Sequence, residues 1–422
     1  MTVFGDRRLM TIMAAMVCVA LGTTTASASI GSGRPDQGRW TASWGASPVI
    51  GSAIPGSTCP AGAGLTNQTV RNVIFLSTGG DHIRIRMTNT FGDAPMSISR
   101  ATVAVQANGA DAVPGTLREL TFHRRSAITL AAGDRQFSDP VALRVAPLST
   151  ILVSVYVTGP TGPVTNHPFT AQGNFLATGD ATRQVSGAGY TDTPCWMFVD
   201  GVDVTAARRV TGTVVAFGDS ITDTANTTGN ANHRWPDFLA RRLDAVHGPT
   251  LSVVNAGLGG NRLLADRPGS PYYGVAGLAR FGRDALDQTG VRAVILLEGI
   301  NDIGFSASAS DIIAGYQQVI AMAHARHVPV FGATVTPMRG SIIFTADRLQ
   351  TWLDVNAWIR TSGAFDGVID FAAATADPAD PTTLNPAYDS GDHLHPNDAG
   401  TQAMANAVHL RMLLRACGRA VV

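Results

Sequence analysis

Apolar residues follow two different periods along the chain, and the change falls near residue 210. From residue 39 to residue 205 they alternate with polar ones: Ile83, Ile85 and Met87 are separated by Arg84 and Arg86. Val141, Leu143 and Val145 repeat the pattern, as do Ile151, Val153, Val155 and Val157. Period two is the signature of strands with one buried face. Gly79-Gly80-Asp81, the stretch Asn89 to Asp93 and Ala132-Gly133-Asp134 punctuate these runs as turns. The expected N-terminal domain, residues 39–205, is an antiparallel sandwich with a jelly-roll-like arrangement. The Gly-, Pro- and Thr-rich Thr158 to Gly189 reads as long loops, and no internal repeat stands out. Trp40, Trp44 and Trp196 suit either core packing or stacking on sugars.

The pattern changes between Val202 and Gly212. Beyond it, short apolar β-branched runs at Val214–Phe217, Leu251–Val254, Ala293–Leu297, Val328–Val335 and Gly367–Phe371 read as strands. Amphipathic stretches separate them at Arg234–Val246, Asp311–Arg326 and Asp347–Arg360, and Asp398–Leu414 follows the last. Continuous apolar strands alternating with helices predict a parallel sheet covered on both faces, so residues 210–418 form an α/β domain.

Composition narrows the chemistry. The 422 residues carry 31 basic and 31 acidic side chains, and every basic one is arginine. With no lysine there is no Schiff-base or phosphate-loop lysine, and zero net charge without a basic run argues against nucleic acid. Glu119 and Glu298 are the only glutamates. Arg7 and Arg8, the apolar run Leu9 to Leu21 and Ala26-Ser27-Ala28 predict an export signal over residues 1–28, too short to serve as a membrane anchor. Export implies an oxidising destination and leaves Cys59, Cys195 and Cys417 after Cys18 is removed. Of three possible pairings, Cys59–Cys195 is expected because both fall in the N-terminal region, with Cys417 left as a free thiol.

Polar residues capable of chemistry collect just after the predicted parallel strands. The first strand ends in Gly218-Asp219-Ser220, which places the serine where open α/β sheets bind ligands. A helix starting there would add free N–H groups. After the second strand, Asn255 to Arg262 contains Gly257, Gly259 and Gly260, which allow backbone N–H groups to approach a substrate. Glu298-Gly299-Ile300-Asn301-Asp302 follows the third strand and offers a side-chain amide at Asn301. Asp392-His393-Leu394-His395 precedes the last helix, with acid and base spaced to share one turn. The His-x-His spacing also permits a metal, but no third histidine or cysteine ligand lies nearby, so no metal or cofactor is expected. Together these residues supply a nucleophile, a base with its orienting carboxylate, and oxyanion donors, which is the equipment of acyl transfer. The Gly-x-Ser-x-Gly elbow is absent.

These four stretches, in this order, resemble the blocks of the SGNH or GDSL-type esterase and lipase superfamily. The whole chain is similar to secreted bacterial two-domain members grouped with xylan-esterase-like sequences. The resemblance implies a flavodoxin-like three-layer domain over about Val214 to Arg415. It carries over Ser220 as nucleophile, His395 as base, Asp392 as its partner, and Ser220, Gly260 and Asn301 as oxyanion donors. Ile221 stands where the family usually has leucine, and the adjacent Gly259 leaves the oxyanion glycine open by one residue. The implied activity is hydrolysis of short acyl esters, including O-acetyl groups on polysaccharide. Its rivals are a lipase, lysophospholipase or thioesterase acting on longer chains, and an inert carbohydrate-binding protein. A carboxylate-pair glycosidase using Glu298 is a further alternative.

Overall fold

The computed structural model describes residues 40–248 and 250–418; the expected leader and Cys18 lie outside them, as does the side chain of Cys417. The chain is α/β: an antiparallel β-rich region followed by a parallel five-stranded sheet flanked by helices. The parallel strands are β1 (Val210–Gly218), β2 (Thr250–Gly257), β3 (Val291–Leu297), β4 (Val330–Ala333) and β5 (Gly367–Ile369). They lie in the order β2-β1-β3-β4-β5. That is the flavodoxin-like arrangement, whose switch point lies between β1 and β3, and β1 delivers Ser220 beside it. Val214, Val215, Ala216 and Phe217 are fully buried, as are Val294 and Ile295 on β3, because helices cover both faces.

The helices begin where polar caps dictate. Ser308 accepts from the Asp311 N–H at 3.1 Å and starts Ala309–His324; Thr345 caps Ala346–Thr361 through Arg348 in the same way. Each therefore starts a residue or two before its first expected position. The helix expected over Asp398–Leu414 is instead two, Asp398–Ala407 and Leu410–Gly418, with extended backbone at Val408. Arg242 takes the carbonyls of both Ala405 and Val408, which draws the backbone out of a continuous helix.

In the N-terminal region, Trp40–Gly45, Val199–Ala206, Gly80–Thr88 and Val141–Val145 pair in that order into one antiparallel sheet. A second is built on Asn174–Thr178, Gln68–Phe75, Thr150–Val157 and Met96–Asn108. Their shared core includes Ile83, Ile85, Met87, Ile151, Val153 and Val155. Trp44 and Trp196 belong to it, packed edge to face at 5.1 Å, so neither is available as a sugar platform. Cys59 and Cys195 are joined as a disulfide with Cα atoms 5.8 Å apart. The stretch expected as loops contains two strands, Thr165–His167 and Asn174–Thr178.

The polar face of strand Gly80–Thr88 does not meet solvent as simple alternation implies. Arg86 is 6% exposed and donates to Asp200 at 2.6 Å, while Arg84 reaches Asp203 at 2.7 Å. Asp203 in turn accepts from Thr289 of the α/β region at 2.7 Å. This face is the seam between the two regions. Ala42 sits in the α/β core, its N–H on the Thr289 carbonyl and its carbonyl on the Ser252 hydroxyl. The free edge of β2 is covered in the same manner, the Val253 N–H going to Ser77 at 3.1 Å.

Candidate active site

Strand β1 ends at Gly218 because the chain must turn tightly there. A Cβ on Gly218 would lie 2.2 Å from the Thr222 hydroxyl oxygen and 2.5 Å from the Leu297 carbonyl. Only glycine lets the following turn fold back so closely. Asp219, buried beneath it, accepts from the Ile221 N–H at 2.9 Å and caps the single helical turn Ser220–Asp223. That turn is too short to act as a helix dipole; what it contributes is a fixed position for Ser220. The serine hydroxyl lies 2.8 Å from Nε2 of His395.

His395 is held from its other side. Its Nδ1 lies 2.6 Å from Asp392 Oδ2, and Asp392 Oδ1 accepts the His395 N–H at 2.8 Å and the Leu394 N–H at 3.0 Å. Asn226 donates to Asp392 from the nucleophile's own loop at 3.2 Å. Partial burial pushes the Asp392 carboxyl up, but the His395 amide, the His395 ring and the Leu394 amide outweigh it and hold it at about 2. It is therefore a carboxylate at neutral pH, suited to keep Nδ1–H protonated and Nε2 facing the serine. The other histidine of the pair, His393, turns to Asp389 at 2.6 Å, so the two rings serve separate carboxylates. Among the described residues no group of three His, Cys, Asp or Glu side chains is arranged to hold a metal ion.

The glycine loop and Asn301 come together from the ends of β2 and β3. The Asn301 side-chain amide donates to the Asn261 carbonyl at 2.8 Å, and Asp302 accepts the N–H groups of Leu263 and Leu264 at 2.7 and 3.1 Å. Hydrogen bonding separates the two adjacent glycines. Gly259 gives its N–H to Asp223 Oδ2 at 2.8 Å, whereas the Gly260 N–H has no acceptor among the described residues. Gly260 also has φ +69°, a left-handed conformation that glycine adopts without cost. Asp223 owes its own position to the N-terminal region. His167, 3% exposed, places Nε2 2.9 Å from Asp223 Oδ1 and Nδ1 2.7 Å from the Ser47 carbonyl. Sequence reading missed His167, which sits in a stretch expected as loop.

The other residue missed is Arg280, fully buried in the short helix Gly277–Phe281. Its Nη2 donates to the Gly218 carbonyl at 2.8 Å and to Glu298 at 3.1 Å. Its Nη1 donates to the Ala256 carbonyl at 2.8 Å and to Ser47 at 3.0 Å, and Nε reaches Asn261 at 2.8 Å. All five guanidinium N–H groups are thereby used. The guanidinium also lies over Phe217 at 3.9 Å. Glu298 is fully buried on this cation and Tyr316 donates to its carbonyl, so it faces no substrate-accessible space as a glycosidase acid would. Burial first, and then the nearby Asp219 charge, push Glu298 well up. Burial likewise pushes Asp219 up to about 7.

Asp219 therefore binds a proton in the folded protein over a range where the unfolded chain, with its ordinary value of 3.8, has released it. Stability must fall as pH rises from about 4 to about 7, the reverse of the usual paired carboxylate. Asp392, held low, acts with the opposite sign and only below pH 4. Asp219→Asn, whose amide oxygen can still cap Ile221, is expected to flatten the decline. Urea midpoints measured between pH 4 and 8 for both proteins check this, and parallel curves would contradict it.

Residues 216–403 match the GDSL-like lipase/acylhydrolase family. No curated protein sequence matches the chain. Among solved structures, a GDSL-like lipase from Bacteroides thetaiotaomicron is 19% identical, with a TM-score of 0.35 over 50% of this chain and 89% of its own. An aryl esterase from M. smegmatis is 18% identical, with a TM-score of 0.37 over 46% of this chain and 95% of its own. A carbohydrate acetylesterase from Sinorhizobium meliloti is 14% identical, with a TM-score of 0.37 over the same shares. Over residues 216–403, the stretch that carries Ser220, Gly260, Asn301, Asp392 and His395, the chain matches a family of ester hydrolases.

Proposed function

We propose that the protein is an exported serine esterase that removes short acyl groups, such as acetyl, from polysaccharide, using Ser220, His395 and Asp392. The observation that carries the proposal is the unbroken run of hydrogen bonds from the Ser220 hydroxyl through the His395 ring to the Asp392 carboxylate. In the proposed cycle His395 Nε2 takes the hydroxyl proton as Ser220 Oγ bonds to the ester carbonyl carbon. The negative charge that develops on the carbonyl oxygen is met by the N–H groups of Ser220 and Gly260 and by the Asn301 amide. His395 then gives its proton to the departing alcohol, leaving an acyl-serine. Water, deprotonated by His395, attacks that ester, and collapse returns the acid and the free serine.

Two further observations favour this form of the reading. The Cys59–Cys195 bond suits an oxidising compartment, as export supplies. Phe169 and Tyr273 pack on each other and stand against Gly259 and Gly260, which crowds the ground beside the proposed oxyanion donors and suits a small acyl group.

Ser220→Ala is expected to lower turnover of p-nitrophenyl acetate by at least about 1,000-fold with the fold intact by circular dichroism. The wild-type enzyme should cleave p-nitrophenyl acetate much faster than the palmitate ester and should release acetate from acetylated xylan. Comparable hydrolysis by the alanine variant would remove Ser220 from the reaction; preference for palmitate would favour the lipase alternative.

Asp223 acts through Gly259, so it is a positioning residue. Asp223→Asn and His167→Ala should each lower kcat by about 10–100-fold with little change in KM, because a displaced oxyanion donor weakens the transition state more than the bound ester. Steady-state kinetics beside thermal melts test this. A loss confined to KM, or none in a folded variant, would contradict it.

A further inference from the structure

A cleft of about 900 Å³ lies against the nucleophile's loop and is walled mostly by the N-terminal region. That volume is near the top of the range for small-ligand sites, roughly 300–1,000 Å³. Ser220 does not line it, but two elements connect it with the catalytic residues. The segment after the nucleophile carries Asn226, which donates to Asp392, and then runs on to Gly229, Asn230 and Asn232 in the cleft wall. Phe169 lines the cleft and stacks on Tyr273 at 6.2 Å. One edge of its ring lies 3.1 Å from where a Cβ on Gly259 would be.

The chemistry of the wall selects among ligands. In a chain with 31 arginines, none lines this cleft, and Asp192 is its one charged residue. Phosphate, sulfate and carboxylate groups find no cation there. A fatty chain finds no continuous apolar surface, because Gln106, Asn108, Asn232 and several threonines interrupt it. The Asn108 and Asn232 side chains make no protein hydrogen bond among the described residues. An amide offers both a donor and an acceptor, which matches a neutral hydroxyl. Phe169, 36% exposed, adds an aromatic face of the kind on which the C–H faces of a pyranose ring pack.

The wall is also built at a cost. Phe169, Ala171, Asn230 and Asn232 all have positive φ, between 49° and 62°. Left-handed backbone at non-glycine residues is strained and persists where the surroundings enforce it. Here the enforcement joins the two regions: the Asn230 N–H donates to the Ala171 carbonyl at 2.8 Å. Asn230 Oδ1 accepts from the Gly173 N–H at 2.6 Å and from the Gln172 amide at 2.7 Å.

We propose that this cleft is the subsite for the alcohol part of the ester, a neutral oligosaccharide chain, and that the N-terminal region thereby sets substrate specificity. The proposal rests on the ester-hydrolase reading above and names its leaving group. The saccharide lies along Asn108, Phe169 and Asn232 and presents an acylated hydroxyl toward Ser220.

Two variants test it. Ala107→Trp places a bulky ring in the exposed cleft wall. Asn108→Ala combined with Asn232→Gly removes two free amides, the glycine suiting the left-handed backbone at 232. For each, kcat/KM is measured on acetylated xylohexaose and on p-nitrophenyl acetate, and binding of unacetylated xylohexaose, cellohexaose and mannohexaose to Ser220→Ala protein is followed by calorimetry. The expected result is binding of at least one hexaose. In both variants the ratio of oligosaccharide to p-nitrophenyl activity should fall at least tenfold, with melting temperatures near wild type. If wild type turns over p-nitrophenyl acetate but the ratio is unchanged in both variants, or no hexaose binds, the subsite is wrong while the esterase reading stands. If wild type hydrolyses neither ester, the esterase reading itself fails.

Discussion

The site depends on one buried cation. Arg280 has no exposed surface, and its five N–H groups reach the carbonyl ends of β1 and β2, the carboxylate that follows β3, the glycine loop and Ser47 of the N-terminal region. A lysine, with three donors on a single atom, cannot span five acceptors set in a plane. Parallel strands end in carbonyls that point toward the active-site crevice, and a guanidinium beneath that crevice ties three such ends into one rigid rim. Ser220, the Gly260 loop and Asn301 each begin within a few residues of an atom that Arg280 holds. The charge is not free of cost. It sits among Glu298, Asp284 and Asp219, and their burial pushes Glu298 and Asp219 toward the protonated form. A buried ion pair of this kind is weak evidence for stability but strong evidence for a fixed geometry, since losing one partner strands the others in a dry interior.

The N-terminal region completes this arrangement. Ser47 satisfies one Arg280 donor, and His167 holds Asp223, which holds Gly259. Phe169 and the backbone around Ala171 then shape the ground beside the nucleophile's loop. Such contacts explain why the polar face of strand Gly80–Thr88 is buried: the seam between the regions is a structural interior made of ion pairs.

Much of this was legible in the sequence, for identifiable reasons. The parallel strands could be read because burial on both faces makes them continuous apolar runs, and the Gly-Asp-Ser turn because it stands at the carboxyl end of one of them. Asp392 and His395 were readable because their partnership is local, three residues apart. The Cys59–Cys195 pair followed from where the two cysteines lie. Arg280 was not legible. It is one of 31 arginines, in a short helix without strong periodicity, and its partners, two of them backbone carbonyls, are scattered along the chain from Ser47 to Glu298. His167 was hidden for a related reason, since its partner Asp223 is 56 residues away. The break at Val408 depends on an arginine more than 160 residues distant, and no local pattern encodes it.

The most direct test of this account is the rate at which an organophosphate such as diethyl p-nitrophenyl phosphate labels Ser220 in Arg280→Lys protein, measured beside its thermal melt. Lysine keeps the charge but drops the fork that joins three strand ends. The expected result is a folded protein of reduced melting temperature whose Ser220 is labelled at least tenfold more slowly than in wild type. Labelling at the wild-type rate with an unchanged melting temperature would mean that the catalytic rim is held by something other than Arg280.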